Sequence, residues 1–452
     1  MSSLAETVQA LVEMGPEGIA RFQESLEPEW ISEALEATGT ASLRRRKLPA
    51  EQAVWLVLGM GLFADRAIVD VVDHLGLVLP GVDSLAKSAV PQARYRLGAE
   101  PMKWLFKKVA EAWSDSPRLP GWRGLDLYGV DGTCARVQDS DENFEFFGKP
   151  GGRNGANDAG YPQLRLAALM NLRSRLLIDA AFGPYAVGEH SLAASLWGQV
   201  GDHSLTIIDK GFTSYALFAD LVLGGTERHF LIRMKSNLRY EEVETLPDGT
   251  ILASIQPCRQ AKKARPDLPD DLRVRIIHYQ HEGGEPQRLM TSLLDPELYP
   301  ADEIIALYHE RWETELGYDE LKTHMIERKE CLRSKKPEGV IQEVWGLLLV
   351  YNLVRREMLL AADAHGLPPR RISFRSSLLW IRNIWLTAWL TRPGNLPRHL
   401  GELRSTLDVL ILPDRRTERR YPRHVKIKMS KYPRNRGCRA QKAKERKPSV
   451  AG

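Results

Sequence analysis

The chain has only four cysteines in 452 residues, at Cys134, Cys258, Cys331 and Cys438, with no CxxC pair and no His partner at zinc-ligand spacing. That scarcity excludes a disulfide-stapled scaffold and a structural zinc site, and predicts a reducing compartment. Long apolar runs are also missing. The longest, Gln52 to Ala64, has 13 residues, and Val344 to Val354 has 11, both short of the roughly 20 that a membrane-spanning helix needs. The opening MSSLAETVQALVEMG lacks the basic start and apolar block of a signal peptide, so a cytoplasmic location is expected. Neither a P-loop nor a GxGxxG occurs, and no nucleotide cofactor is expected.

Acidic residues are scarce in one place. From Arg415 to Gly452 there are fifteen Lys and Arg against Glu418 and Glu445, a net of +13, so the remainder carries −8 of the overall +5. Such a tail, with Tyr421 and Tyr432 among its cations, is expected to be extended and attracted to polyanions. The hydrophobic content of 43% is nevertheless that of a chain able to bury a large core in several domains.

Residues 1–118 show apolar spacing of three and four, as in AVWLVLGMGLFADRAIVDVVDHL, and predict a helical N-terminal domain. Within it, Ser84 to Leu97 carries Lys87, Gln92, Arg94 and Arg96 on a short helix suited to reading base edges, Arg and Gln being the usual readers. A merely solvated helix is the competing reading, and Pro91 either interrupts this helix or starts it. From 119 to 235 the pattern changes to five apolar segments, LDLYGVDG, QLRLAALMNL, RLLIDAAFG, SLTIIDKGF and RHFLIRMKS. The first three are close enough for a meander, and helical stretches separate the later ones, which predicts a mixed α/β sheet. Residues 236–300, with a turn at Asp248-Gly249 and strands RVRIIHYQ and RLMTSLL, read as a small β insertion; 301–335 hold a polar helix; 336–412 are helical again; and 413–452 form the basic tail.

In the segment ALYHERWETELGYDELKTHM, Tyr308, Arg311, Glu315 and Lys322 fall within about 60° of arc at about 100° per residue, if the helix is unbroken. A phenol, two cations and a carboxylate on one face suit a metal-bound phosphate substrate, the carboxylate holding a cation and the others gripping phosphate oxygens. A solvated charged stripe is the plainer alternative. Asp319 falls on the same stripe one turn after Glu315, at a spacing mildly unfavourable for like charges. Two more carboxylates stand where apolar runs stop: Asp131 after LYGV and Asp209 after LTII. Each alone reads as a turn residue before or near Gly. Together, if their strands are neighbours, they and Glu315 form a three-carboxylate cage for divalent cations.

Asp139, Asp141 and Asn143 begin like a calcium loop, but Phe144 stands where Gly is needed and Pro150 where the bidentate Glu belongs. Glu189 and His190, before a helix near the core, read either as supports behind the site residues or, the plainer and favoured reading, as an N-terminal capping feature.

The pattern Tyr308, two residues, Arg311, three residues, Glu315, six residues, Lys322, with DGT at Asp131 and DKGF at Asp209, resembles the IS4 family of bacterial insertion-sequence transposases. RRRKLPAEQAVWLVLGMGL and ARYRLG resemble its N-terminal region. The resemblance implies a ribonuclease-H-like core with a β insertion, flanked by a helical DNA-end-binding domain and a helical C-terminal region with a possible role in dimerisation. It implies Asp131, Asp209 and Glu315 as catalytic ligands of Mg²⁺, with Mn²⁺ as an alternative, and Tyr308, Arg311 and Lys322 as contacts to the transposon end. The implied partners are double-stranded DNA, as transposon ends and target, and a second protomer, with the protein nucleoid-associated when bound. Cleavage at terminal inverted repeats and strand transfer are the implied reactions. Relatives place a Trp in the insertion, yet none occurs between Trp197 and Trp312, which leaves Tyr240 or Tyr279 as substitutes and a hairpin intermediate open. A noncatalytic DNA-binding protein on the same scaffold, or an unrelated metal-dependent hydrolase, are the other readings.

Overall fold

A computed structural model describes residues 26–41, 48–75, 77, 86, 88–114, 119–150, 160–280, 285–326, 331–387 and 410–412. Lys87 and the basic tail from residue 413 lie outside the described residues. No helix among them is long and apolar enough to cross a membrane.

Among the described residues five helices come first: α1 (Pro28–Ala37), α2 (Ala50–Leu62), α3 (Ile68–His74), α4 (Ala89–Leu97) and α5 (Glu100–Trp113). In α1 and α5 a proline sits in the first turn, where its missing N–H has no helical partner to lose. In α4 the proline lies inside the helix, and Pro91 neither ends it nor starts it. As the third residue of α4 its nitrogen falls in the first turn, where an N–H would have no partner within the helix, so the break that sequence alone leaves open does not occur. Nearly every residue of α2 is buried, which a helix achieves only between other elements.

The sheet follows. Strands β1 (Asp126–Val137), β2 (Gln163–Asn171) and β3 (Leu177–Pro184) form an antiparallel meander, with α6 (Asp141–Phe147) after β1. After α7 (Glu189–Ala194) comes β4 (Ser204–Ile208), and after α8 (Tyr215–Leu223) comes β5 (Arg228–Arg233), both parallel to β1. The order β3-β2-β1-β4-β5 is ribonuclease-H-like. The next strands, β6 (Glu241–Thr245), β7 (Ile251–Ile255), β8 (Leu272–Tyr279) and β9 (Gln287–Thr291), extend that same sheet, because β9 pairs antiparallel with β5 from Leu231↔Thr291 to Arg233↔Leu289. A short helix, α9 (Arg259–Ala264), separates β7 from β8. Strand β6 (EEVET) escapes sequence reading because every one of its positions is exposed, leaving no alternation to detect.

Then come α10 (Ala301–Tyr308), one 3₁₀ turn at His309–Arg311, α11 (Trp312–Asp319) and a π-helical stretch at Glu320–Met325. The unbroken helix read from sequence is therefore three helical forms in series. Strand β10 (Cys331–Leu332) pairs with the far end of β1, and the helices α12 (Pro337–Ala364) and α13 (Phe374–Thr387) follow. Apolar residues of α7 and α8 cover one face of the sheet, with Val130, Ile208, Phe230 and Ile232 beneath them. The other face buries Leu127, Ile207 and Leu231 under Ile304 and Leu307 of α10.

Two glycines let α11 lie against the sheet. A Cβ at Gly129 would come within 2.5 Å of Thr314, and one at Gly317 within 2.3 Å of the Met170 side chain. A larger residue at Gly129 strikes the short Thr314 side chain and pushes α11 off β1, whereas one at Gly317 displaces the flexible end of Met170.

Candidate active site

Strands β1 and β4 run parallel, and their last shared rung is Val130↔Ile208. The next residue on each is a carboxylate, Asp131 and Asp209, so the two acids stand side by side where β4 ends. Here the structure corrects the sequence: β1 does not stop at Asp131 but continues to Val137 along β2. It is the shortness of β4 that opens space beside Asp131. The period of two places both carboxylates on the face covered by α10 and α11.

Each acid is held by nearby backbone. The N–H of Gly132 donates to Oδ1 of Asp131 at 2.7 Å, and the N–H of Gly211 donates to Oδ2 of Asp209 at 2.9 Å. Burial raises the Asp131 carboxyl to about 6; the Gly132 bond opposes the shift, and the charges of Asp209 and Glu315 add to it.

Glu315 enters from α11. Arg311, one turn earlier, binds Oε1 of Glu315 through Nη2 at 2.8 Å and lies 3.7 Å from Oδ1 of Asp209 through Nη1. Burial disfavours the Arg311 charge, yet the Glu315 hydrogen bond together with the charges of Glu315 and Asp209 and the Tyr308 phenol outweighs it, and its pKa is raised. Tyr308 is buried at the same place, its phenol pushed upward by burial and by Asp209. The structure therefore brings Asp131, Asp209, Glu315, Arg311 and Tyr308 together. Lys322 is half-buried on the π-helical stretch, whose wider turn moves it off the ideal stripe. No carboxylate lies within ion-pair distance of it among the described residues. Asp319, on the same stripe, accepts a hydrogen bond from Thr323 Oγ1 at 2.6 Å.

Among the described residues no three such side chains converge tightly enough to enclose an ion. The donor set nonetheless fits a hard divalent cation: three carboxylates, with the proton affinity of one already raised by burial and by its acidic neighbours. Cation binding there requires Arg311 to share or release Asp209 and Glu315.

The helix α4 departs from the sequence reading at one residue. Gln92 and Arg96 are exposed, but Arg94 is buried, donating to Gln342, Ser334 and the Gly339 carbonyl at 2.9, 3.0 and 3.1 Å. Burial lowers its pKa, opposed by the charge of Glu343. Arg94 is a structural anchor between α4 and α12, not a reader of bases. The Asp139 region is likewise structural: Ser140 caps α6, and the Asn143 amide donates to the Ser334 carbonyl.

Sequence reasoning missed two features and favoured the wrong reading of a third. Glu189 and His190 do not cap α7; the Glu189 carboxyl packs on Gly132, and His190 Nε2 bonds the Gly211 carbonyl at 2.9 Å while its ring stacks on Phe212. The dipeptide thus touches residues beside both acids, Gly132 on β1 and Gly211 after β4. Behind α11, Arg175 Nε donates to Glu313 at 2.7 Å and Nη1 to Glu320 at 2.6 Å, while Arg355 and Tyr351 also bind Glu320. Arg173 binds both Glu310 oxygens at 2.6 and 2.7 Å. A signal was present: at about 100° per residue, Glu313 and Glu320 share a face roughly opposite the Tyr308 stripe, which the sheet must cover. Finally, Tyr318 donates its hydroxyl to the Asp131 carbonyl.

Comparison with known proteins identifies the family. Residues 16–107 match the insertion element 4 transposase N-terminal family and residues 122–353 the transposase DDE domain. The transposase InsG for insertion sequence element IS4 of Escherichia coli (strain K12) is 39% identical over 410 residues, covering 90% of this chain and 92% of its own. InsZ of the same strain is 35% identical over 280 residues, 59% of this chain and 92% of its own. The piggyBac transposase in a synaptic complex with hairpin DNA aligns over 88% of this chain and 85% of its own, at TM-score 0.46 and 14% identity, too distant to bear on the site. The chain is a DDE transposase and belongs to the IS4 family.

Proposed function

We propose that this transposase excises its element by hydrolysis at the terminal inverted repeats and joins the freed 3′-hydroxyls to target DNA, two protomers pairing two ends. The observation that supports this is the meeting of Asp131, Asp209 and Glu315 at the end of β4, bridged by Arg311. Asp131, Asp209 and Glu315 would hold divalent cations, Mg²⁺ in the cell, which when bound activate water or a hydroxyl and stabilise the leaving oxygen. The protein's own residues do the rest. Arg311 exchanges its carboxylate partners for the phosphate next to the cleaved bond, a bidentate contact that fixes the strand. Tyr308 donates its hydroxyl to the same backbone, because burial keeps the phenol protonated. Lys322, lacking a carboxylate partner among the described residues, contributes a point charge. Gln92 and Arg96 face solvent on α4 and contact the end further out.

The test is cleavage and joining of a duplex bearing the element's own inverted repeats, read from the DNA flanking the gene. Asp131→Asn, Asp209→Asn and Glu315→Gln are each expected to abolish strand cleavage in Mg²⁺ while leaving end binding measurable. Full cleavage by any one of them removes that residue from the catalytic role.

A further inference from the structure

A strip of cations continues from the acids along the same end of the sheet. Lys210 follows Asp209; Arg233 closes β5; Lys235 and Arg239 lie between β5 and β6; and Arg288 stands on β9, its carbonyl accepting the N–H of Met234 at 2.8 Å. The pairing β4-β5-β9 sets these positions side by side. None of the five has a carboxylate partner among the described residues.

At the opposite end of the same strands the basic side chains are paired. Where β1, β4 and β5 begin, Arg123 pairs with Glu303, His203 with Glu227 and Arg228 with Asp202. On and after α9, Arg265 pairs with Asp220 and Asp267, and Lys262 with Asp270. The contrast between the two ends of the same strands is the observation. Two tyrosines accompany the strip: the Arg288 guanidinium lies 6.0 Å from the Tyr240 ring centre, and Arg233 acts electrostatically on both Tyr279 and Tyr308. Clustered like charges repel unless a polyanion sits among them.

We infer that this strip is a backbone-phosphate track for the duplex whose scissile phosphate lies at Asp131, Asp209 and Glu315, carrying that duplex from the acids onto the β6–β9 strands. The inference rests on the transposase reading above. From β4 to β9 is two strand spacings, about 10 Å, or roughly three base steps at 3.4 Å per strand. Contacts of this type hold register and orientation without reading sequence.

The experiment is equilibrium binding of the full chain to a duplex carrying the element's end, between about 50 and 200 mM salt. Replacing three cations together, Lys235→Ala, Arg239→Ala and Arg288→Ala, is expected to lower the slope of log K against log salt by up to about 2.7, at 0.9 per phosphate contact. The same drop is expected on a duplex of scrambled sequence. The charge-preserving set, Lys235→Arg, Arg239→Lys and Arg288→Lys, is expected to recover the wild-type slope, and thermal melting of each variant shows that it is folded. An unchanged slope in the folded alanine variant, beside a wild type that cleaves, overturns the track alone. A wild type that neither binds nor cleaves overturns the transposase reading and the track with it.

Discussion

Tyr318 on α11 donates its hydroxyl to the backbone carbonyl of Asp131 at 2.6 Å. The bond ties the helix that carries Glu315 to the strand that carries the first acid, at the residue where their spacing matters most. Gly129 and Gly317 allow the approach, and Tyr318 fixes it. Tyr318→Phe keeps the ring and removes only the bond, so we expect a loss of about 1–2 kcal/mol. Melting temperature should fall by a few degrees, and the cleavage rate should fall with little change in DNA affinity. A variant that cleaves at the wild-type rate would show that the helix is positioned by packing alone.

Asp131 titrates near 6 because burial disfavours its charge. Cation binding needs the carboxylate, so affinity for Mg²⁺ should drop as pH falls through 6. Stability in a chelator should show the opposite dependence. A carboxyl whose folded pKa lies above its unfolded value destabilises the fold once it is ionised, and costs nothing below the unfolded value near 4. Asp131→Asn is therefore expected to melt higher than wild type at pH 8 without metal, the gap closing between pH 6 and pH 4. A variant that melts lower than wild type at pH 8 sinks this account.

Arg94 and its neighbours on α4 should separate cleanly. Arg94 links α4 to α12 through three buried hydrogen bonds, and its removal leaves Gln342 and Glu343 short of a buried partner. Arg94→Ala is expected to cost about 3 kcal/mol or more, by the penalty for breaking buried charged contacts. Gln92→Ala and Arg96→Ala, at exposed positions, should leave the melting temperature within a degree and weaken DNA-end binding. Equal melting of all three variants would contradict the anchor role.

How far the sequence reveals this molecule depends on which physics each feature obeys. The five core strands and the two acids at Asp131 and Asp209 are local: apolar runs that stop at a carboxylate are visible without knowing the partner strand. Register is not local, so the pairing Val130↔Ile208 that sets the acids side by side had to be supposed. Arg94 shows the same limit from the other side. Its composition and spacing match a base-reading helix, and only the tertiary contact with α12 decides that this one arginine faces inward. Helix type is equally non-local: the π-helical stretch at Glu320–Met325 coincides with buried bonds from Arg175 and Arg355, which lie far away in sequence.

Those bonds lead to the sharpest prediction. Arg175 sits in the β2–β3 turn at φ 60°, a conformation that favours glycine, yet it carries the guanidinium that bridges Glu313 and Glu320 behind α11. Backbone strain there costs roughly 1 kcal/mol, whereas losing one partner from a buried ion network costs about 3–5 kcal/mol. The second effect is larger. Arg175→Gly relieves the strain and deletes the charge, while Arg175→Ala keeps the strain and deletes the same charge. Both should be strongly destabilised in denaturant melts, with Arg175→Ala the worse by roughly 1 kcal/mol. Adding Glu320→Gln to either should cost much less than it does alone, because Glu320 has then already lost one of its two arginines. If Arg175→Gly matched wild type in stability, the strained turn would not be holding α11, and the position of Glu315 would have to be attributed to Tyr318 and the glycine contacts.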